Sequence, residues 1–308
     1  VIITGATMYS EPMHLLIDGR NILYRALFAT HGDMEFASRK TDKFAAISRF
    51  IHFYYDQIRP QHIHVFWDVP KRQVWRRAIY PLYKENRNTA DRADFDIGAE
   101  LAHYEKICQE LWTAMGMRQY RVPAMEADDL IYAFCHYKHK EEIVIVSTDS
   151  DLTQIPYRFD NVRVFSPQTK KYITCPEFDP VAIKCLSGDK ADNITGYRGI
   201  ADIKSRKLLA SEKILLEFLA TQGDYTYRRN RILIDLSLCP ALVDNILYVM
   251  QQMASEPTFD TLIVKDLLHK YKLRGMVTEY PKTILPFSFR QENNNGRAHC
   301  LCNSDPNT

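Results

Sequence analysis

The sequence predicts an α/β fold, a mostly parallel sheet held between helices, followed by a largely helical second half. Three observations predict it. Ile143-Val144-Ile145-Val146 is an unalternated β-branched run, as found in strands buried on both faces. Leu15-Leu16-Ile17 and His62-Ile63-His64-Val65-Phe66-Trp67 run into Asp18 and Asp68 as the first run leads to Asp149, with helical apolar spacing between them. Beyond about Pro180 strand-like runs become scarce.

Residues 1–13 carry neither a charged n-region nor an apolar core before a cleavage site, and are read as an irregular leader. Leu15 to Ile17 forms the first strand, Asp18-Gly19 the turn, and Asn21 to Phe28 a helix. Apolar residues recur at three and four from Phe44 to Ile58, Pro60 stops that helix, and the second strand ends at Asp68. From 71 to 92 the character changes. Lys71, Arg72, Arg76, Arg77, Lys84, Arg87 and Arg92 face only Glu85 and Asp91, with Trp75, Tyr80 and Tyr83 interleaved. A long amphipathic helix spans 95–116, and a short strand from Met117 to Val122 closes at Pro123.

Glu126 to Asp129 then opens a helix carrying Leu130-Ile131-Tyr132-Ala133-Phe134. After the Ile143 strand, Val162 to Phe165 and Lys171 to Thr174 read as a hairpin joined through Ser166-Pro167-Gln168. Helices are expected near 181–187, 203–220, 241–254 and 260–272. The predicted organisation is an α/β domain over 14–180, a helical domain over 181–287 and a disordered tail over 288–308 around Asn293-Asn294-Asn295-Gly296.

Composition narrows the class. The 308 residues are 46% hydrophobic and 25% charged, with no apolar run near the ~20 residues that span a bilayer, so a soluble protein is expected. Seven scattered cysteines form no disulfide framework and favour a reduced, cytoplasmic compartment. His299-Cys300-Leu301-Cys302 lacks the second ligand pair of a zinc finger. The net charge of +2 hides uneven local charge.

Nine carboxylates stand at five places: Asp18, Asp68, the group Glu126, Asp128 and Asp129, the pair Asp149 and Asp151, and the pair Asp189 and Asp192. Any one aspartate at a strand end serves equally well as a helix cap. Three strand ends with acidic neighbours, gathered at the carboxyl edge of one sheet, instead demand a multivalent cation to offset their repulsion. Oxygen donors without His or Cys favour Mg²⁺ or Mn²⁺, and the number of acids suits two ions. The basic, aromatic stretch supplies the complementary half, since cations neutralise phosphates and aromatic rings stack on unpaired bases. A second basic group, Arg198, Lys204, Arg206 and Lys207, follows the glycine-bounded turn Gly196 to Gly199 and suits a duplex backbone.

The motifs Leu16-Ile17-Asp18-Gly19, Phe66-Trp67-Asp68, Tyr83-Lys84-Glu85-Asn86-Arg87, Glu126-Ala127-Asp128-Asp129, Ser147-Thr148-Asp149-Ser150-Asp151 and Gly188-Asp189-Lys190-Ala191-Asp192-Asn193 occur in this order. Together they resemble the phage and bacterial 5′-nuclease family, which includes flap endonucleases, and most nearly its T-even phage ribonuclease H branch. The resemblance covers about residues 14–207. It implies a PIN-like core, a helical arch over 71–94, and a helix–three-turn–helix motif in the helical domain. It assigns Asp18, Asp68, Glu126, Asp128, Asp129, Asp149 and Asp151 to metal binding, with Asp189 and Asp192 completing a second position. Lys84 and Arg87 match the residues that act on the scissile phosphate, and Arg72, Arg76, Arg77, Tyr83, Arg198, Lys204 and Lys207 are expected on the nucleic acid.

The implied activity is Mg²⁺-dependent 5′-3′ exonuclease and flap cleavage with ribonuclease H activity, on DNA and RNA–DNA hybrids carrying flaps or 5′ ends. The implied setting is RNA-primer removal in phage replication by a monomer, in the cytoplasm of the infected host. A single-strand-binding protein and a sliding clamp would be its protein partners. Ala201, in Gly199-Ile200-Ala201-Asp202, departs from the family's Gly-Ile-Gly and alters the expected monovalent-cation grip on duplex. Two rival readings meet the same residues. A haloacid-dehalogenase-like phosphatase needs Asp-x-Asp at the first strand, where Asp18-Gly19-Arg20 stands. A nucleic-acid-binding protein without turnover would be expected to have lost acids, and none of the set is missing.

Overall fold

Six strands share one sheet: β1 (His14–Asp18), β2 (His62–Phe66), β3 (Arg118–Tyr120), β4 (Ile143–Val146), β5 (Val162–Ser166) and β6 (Lys171–Tyr172). Their spatial order is β3-β2-β1-β4-β5-β6. The first five run parallel and β6 returns antiparallel to β5 as the expected hairpin. The computed structural model describes residues 13–29, 47, 51, 53–55, 57–86, 97–271 and 273. The leader up to residue 12, arch residues 87–94 with Arg87 and Arg92, and the tail over 288–308 lie outside the described residues.

Strand period explains the two cores. Leu15 and Ile17 of β1 point to one face, with Val65, Trp67, Val144 and Val146, and pack on α1 (Gly19–Ala29) and on helical residues 51, 54 and 58. Leu16 points to the other, with Phe66, Ile143 and Ile145, against the helix that begins at the acidic cluster. Burial on both faces is why these strands read as unbroken apolar runs.

The remaining described helices are α2 (Arg76–Ile79), α3 (Ile97–Ala114), α4 (Ala127–Tyr137), α5 (Pro180–Ser187), α6 (Asp202–Leu209), α7 (Glu212–Gln222), α8 (Tyr225–Ile234), α9 (Leu242–Ala254) and α10 (Thr261–Lys270). A small hairpin, β7 (Gly188–Asp189) with β8 (Ile194–Thr195), sits between α5 and α6. The helix expected over 203–220 is two helices, because Ser211 turns to extended backbone (φ −147°) and begins α7. Helix α8 had no counterpart in the sequence reading. Only Asn230, Leu233 and Ile234 of it are buried, too few to impose a visible period.

Near the expected boundary at residue 180, Val181, Cys185, Ile194, Leu233 and Ile234 gather in a third cluster with Val69, Val74 and Tyr83, while later helices join the cores of the sheet. Val249 of α9 lies in the cluster of Leu16 and Ile145, while Val264 and Leu268 of α10 lie in that of Leu15 and Ile17. The last two described helices therefore complete the two cores, α9 packing on α4 and α10 on α3. Among the described residues no helix is long and apolar enough to cross a membrane.

Candidate active site

Strands β2, β1 and β4 are neighbours, so the loops carrying Asp68, Asp18 and Asp149 lie side by side at one sheet edge. The chain builds outward from β1 to β3 and then returns to β4 on β1's other side. That reversal opens a crevice between the β1 and β4 loops. Gly19 follows Asp18 because an added Cβ would stand 2.7 Å from the Trp67 ring. Trp67, stacked on Trp112 with ring centroids 5.9 Å apart, cannot yield that space cheaply.

Local amides aim the acids. Asp18 accepts from the Asn21 N–H at 3.0 Å, Asp68 from the Ala127 N–H at 2.8 Å, and Asp149 from the Asp151 N–H at 2.9 Å. The Asn21 side-chain amide donates to Thr148 Oγ1 at 2.9 Å, tying the β1 loop to the β4 loop. Glu126 caps α4 in a reciprocal box with Asp129. An open cleft of about 500 Å³ adjoins the acids, with Asp68, Glu126, Lys84, Arg20, Tyr24 and Lys71 in its wall.

Burial and crowding leave this group over-supplied with negative charge. Burial, then repulsion from Asp68 and Asp149, pushes Asp18 up to about 7. Burial and Asp151 push Asp149 up to about 6. Asp68 is raised by burial and by Glu126, and Asp128 by burial and by its neighbours Asp129 and Glu126 in spite of Arg76. Glu126 goes the other way. Burial would raise it, but the charges of Lys84 and Arg76 outweigh burial and hold it at about 2.

Three cations and a phenol thread the acids. Lys84 Nζ donates to Glu126 at 2.5 Å and lies 3.6 Å from Asp192. Lys184 Nζ donates to Asp151, to Asp189 at 2.7 Å and to Ser150 Oγ at 2.9 Å. The Tyr83 hydroxyl lies 3.0 Å from Glu126 and 2.9 Å from Asp192. Arg76 reaches Glu126 at 2.7 Å, both oxygens of Asp129 at 2.8 and 3.0 Å, and the Leu233 carbonyl at 2.8 Å.

Three of the expected site residues are engaged inside the protein. Arg76 and Tyr83, expected on nucleic acid, are 1% and 2% exposed and spend their polar atoms inside the protein. Asp129, expected as a metal ligand, is fully buried and accepts from Arg76, from the Trp75 indole and from the Glu126 N–H. One carboxylate oxygen each from Glu126, Asp128 and Asp129 lies within 4.8 Å of the others, but Arg76 already matches much of that charge. The unmatched charge lies instead at Asp18, Asp68, Asp128 and Asp149. Arg77 pairs with Glu85 at 2.8 Å, and Arg72, Arg198, Lys204 and Lys207 are exposed.

The turn over 189–193 meets the base of the arch. Lys84 N–H donates to the Asp192 carbonyl at 2.9 Å, Asn193 to the Leu82 carbonyl at 2.8 Å, and Asn86 to the Lys190 carbonyl at 2.6 Å. Asp189 and Asp192 thus stand beside Lys84. Lys184 was missed in the sequence; the available signal was a lone charge inside the apolar run Val181-Ala182-Ile183-Lys184-Cys185-Leu186. Ala201 has φ −116°, so the positive φ of its turn falls on Gly199 (φ +75°) and the alanine bears no strain.

The family model for the N-terminal, resolvase-like domain of 5′-3′ exonucleases matches residues 13–183. The chain belongs to the 5′-3′ exonuclease family. This 5′-3′ exonuclease-family chain is 30% identical over 219 residues to the 5′-3′ exonuclease of Halalkalibacterium halodurans, covering 65% of this chain and 70% of that one. It is 29% identical over 215 residues to DNA polymerase I of Streptococcus pneumoniae, covering 63% of this chain but only 23% of the polymerase. The bacteriophage T5 D15 flap endonuclease, solved with DNA and metal ions, superposes with a TM-score of 0.60 at 20% identity, covering 84% of this chain and 99% of that one. That likeness establishes the fold, a mostly parallel sheet flanked by helices. The expected enzyme class, a nuclease, stands.

Proposed function

We propose that this chain is a Mg²⁺-dependent 5′-nuclease that hydrolyses phosphodiesters at 5′ ends and flaps of DNA and in the RNA of RNA–DNA hybrids. One observation carries the reading: Asp18, Asp68 and Asp149 converge at a sheet edge with their carboxyls pushed upward by burial and mutual repulsion. A donor set made only of oxygen, too negative for its own lysines, fits a hard divalent ion better than a transition metal. Asp18, Asp68, Glu126, Asp128 and Asp149 would hold one ion, with Asp151, tied to Asp189 through Lys184, joining Asp189 and Asp192 in supporting a second. When bound, such ions supply an acidified water and neutralise charge on the phosphate.

The protein's own groups do the rest. Lys84, on the cleft wall, brings an ammonium to the phosphate oxygens as their charge grows, and Arg87 acts with it. Tyr24, 38% exposed at the same cleft, offers a ring on which an unpaired terminal base can stack. Exposed Arg72, Arg198, Lys204 and Lys207 hold the backbone by charge without reading sequence. The setting we propose is primer removal in phage replication, by a monomer in the host cytoplasm, with a single-strand-binding protein and a sliding clamp as partners. The motif order shared with the T-even branch supports that setting.

The test uses a 5′-labelled DNA flap and an RNA–DNA hybrid, with Mg²⁺, with EDTA, and with Asp149→Asn. Wild type is expected to release short 5′ products from both substrates only with Mg²⁺, and the variant to bind without cutting. Equal cleavage by the variant would sink the reading, and binding without cleavage by wild type would establish the rival without turnover.

A further inference from the structure

Lys184 extends from the last turn of α5 and places its ammonium among three oxygens, from Asp151, Asp189 and Ser150. Its side chain is only 19% exposed. An ammonium gives up its hydration only where fixed oxygens replace it, and here its three N–H donors find three acceptors. The two carboxylates come from different segments, Asp151 from the loop after β4 and Asp189 from β7. Lys184 is the cation to which Asp189 responds: burial would raise that carboxyl, and Lys184 overrides burial and lowers it. On the other side of the cleft, Lys84 Nζ pairs with Glu126 and stands 3.6 Å from Asp192.

We propose that Lys184 is a built-in counter-cation that keeps the Asp151 and Asp189 half of the site assembled without a divalent ion and must be displaced before that half takes one. The proposal rests on the nuclease reading above. A divalent ion needs the same carboxylate lone pairs that Lys184 occupies, and it is repelled by the ammonium until that group swings out. The two halves therefore fill unequally. The Asp18 and Asp68 side binds first, and the Asp151 and Asp189 side follows at higher concentration.

The test is Mn²⁺ titration of the full chain without nucleic acid, by calorimetry and by the electron paramagnetic resonance signal of free Mn²⁺. Wild type, Lys184→Met, Lys184→Gln and Lys184→Arg are compared. Wild type is expected to bind in two steps, and the Met and Gln variants to tighten the weaker step by about tenfold, within the usual range for coupled sites. Lys184→Arg keeps the charge and should keep the wild-type weak step. An unchanged weak step in both neutral variants overturns the proposal, as does an Arg variant that tightens as they do. A wild type that binds Mn²⁺ and cuts the flap while the variants bind identically overturns only the role of Lys184. A wild type that neither binds Mn²⁺ nor cuts overturns the nuclease reading itself.

Discussion

Lys84 holds its ammonium against Glu126 from a left-handed backbone position, φ 54°, fixed by its own N–H on Asp192. Such a conformation costs a non-glycine residue about 1 to 2 kcal/mol and persists only where neighbours enforce it. Lys84→Ala should cut kcat by about 10²- to 10³-fold, as for loss of a donor to developing charge, while substrate affinity changes little. Equal loss in both, seen in single-turnover rates and filter binding, would make Lys84 a general binding residue. Arg76 works by burial instead. Arg76→Met leaves Asp129 and Glu126 without their partner and should lower unfolding free energy by about 3 to 5 kcal/mol in urea titrations.

The pH response of the metal-free protein combines two opposite contributions. His64 is lowered well below 6.5 by burial, and His14 is lowered by burial although Glu141 pulls upward. The 2.6 Å contact of His14 with Glu141 is thus a hydrogen bond from a neutral imidazole. His14 continues to His64 at 3.0 Å and His64 to Tyr120 at 2.9 Å, with Lys138, Arg118 and His62 adding positive charge around them. Unfolded histidines take protons that these refuse, so their contribution is lost as pH falls below 6.5. Asp18 and Asp149, raised to about 7 and about 6, favour the fold at low pH and lose that contribution as pH rises through those values. In EDTA, Asp18→Asn/Asp149→Asn should therefore melt higher than wild type at pH 7.5 and lose stability more steeply below 6.5. Melting curves that stay parallel to wild type across this range would refute the assignment.

At the scale of elements, the turn over 189–193 and the arch base behave as one unit through the contacts of Asn193, Asn86 and the Lys84 amide. Asn193→Ala should lower kcat in the same direction as Lys84→Ala but less, and both together should lose less than the product of the two. Additive losses would place the turn outside the Lys84 pathway. Ala201→Gly should not strengthen duplex binding and should lower stability by up to about 1 kcal/mol, since the alanine sits in extended backbone and glycine only loosens the unfolded chain. The strands and the acids at their ends were legible because burial on both faces writes an unbroken apolar run, and a parallel sheet then puts every strand's carboxyl end on one edge. The arch was not. Arg76 and Arg77 are neighbours of one charge type, and nothing local says that one turns inward to Asp129 while the other meets Glu85. Tyr83 was hidden for the same reason, with Glu126 and Asp192 far along the chain, and so was the contact of Lys184 with Asp151.

For the whole molecule, α9 and α10 complete the two cores on which β1 and β4 rest, so thermal unfolding should be one cooperative transition. A chain cut after Cys239 should lose that transition and bind a hydrophobic dye, because Val249, Val264 and Leu268 no longer complete the two cores over α4 and α3. Two separate transitions in the full chain would restore an independent helical domain. The same closure sets an order on synthesis. Every acid from Asp18 to Asp192 leaves the ribosome before the helices that roof the sheet, a lag of several seconds at about 5–20 residues per second. During that interval the earlier helices already lie on both faces, but the apolar surfaces that α9 and α10 will cover stay open, so it is then that a chaperone has something to hold. On the proposed reading, cleaving power arrives late, with α10, the last described helix, although none of the proposed site residues lies in it.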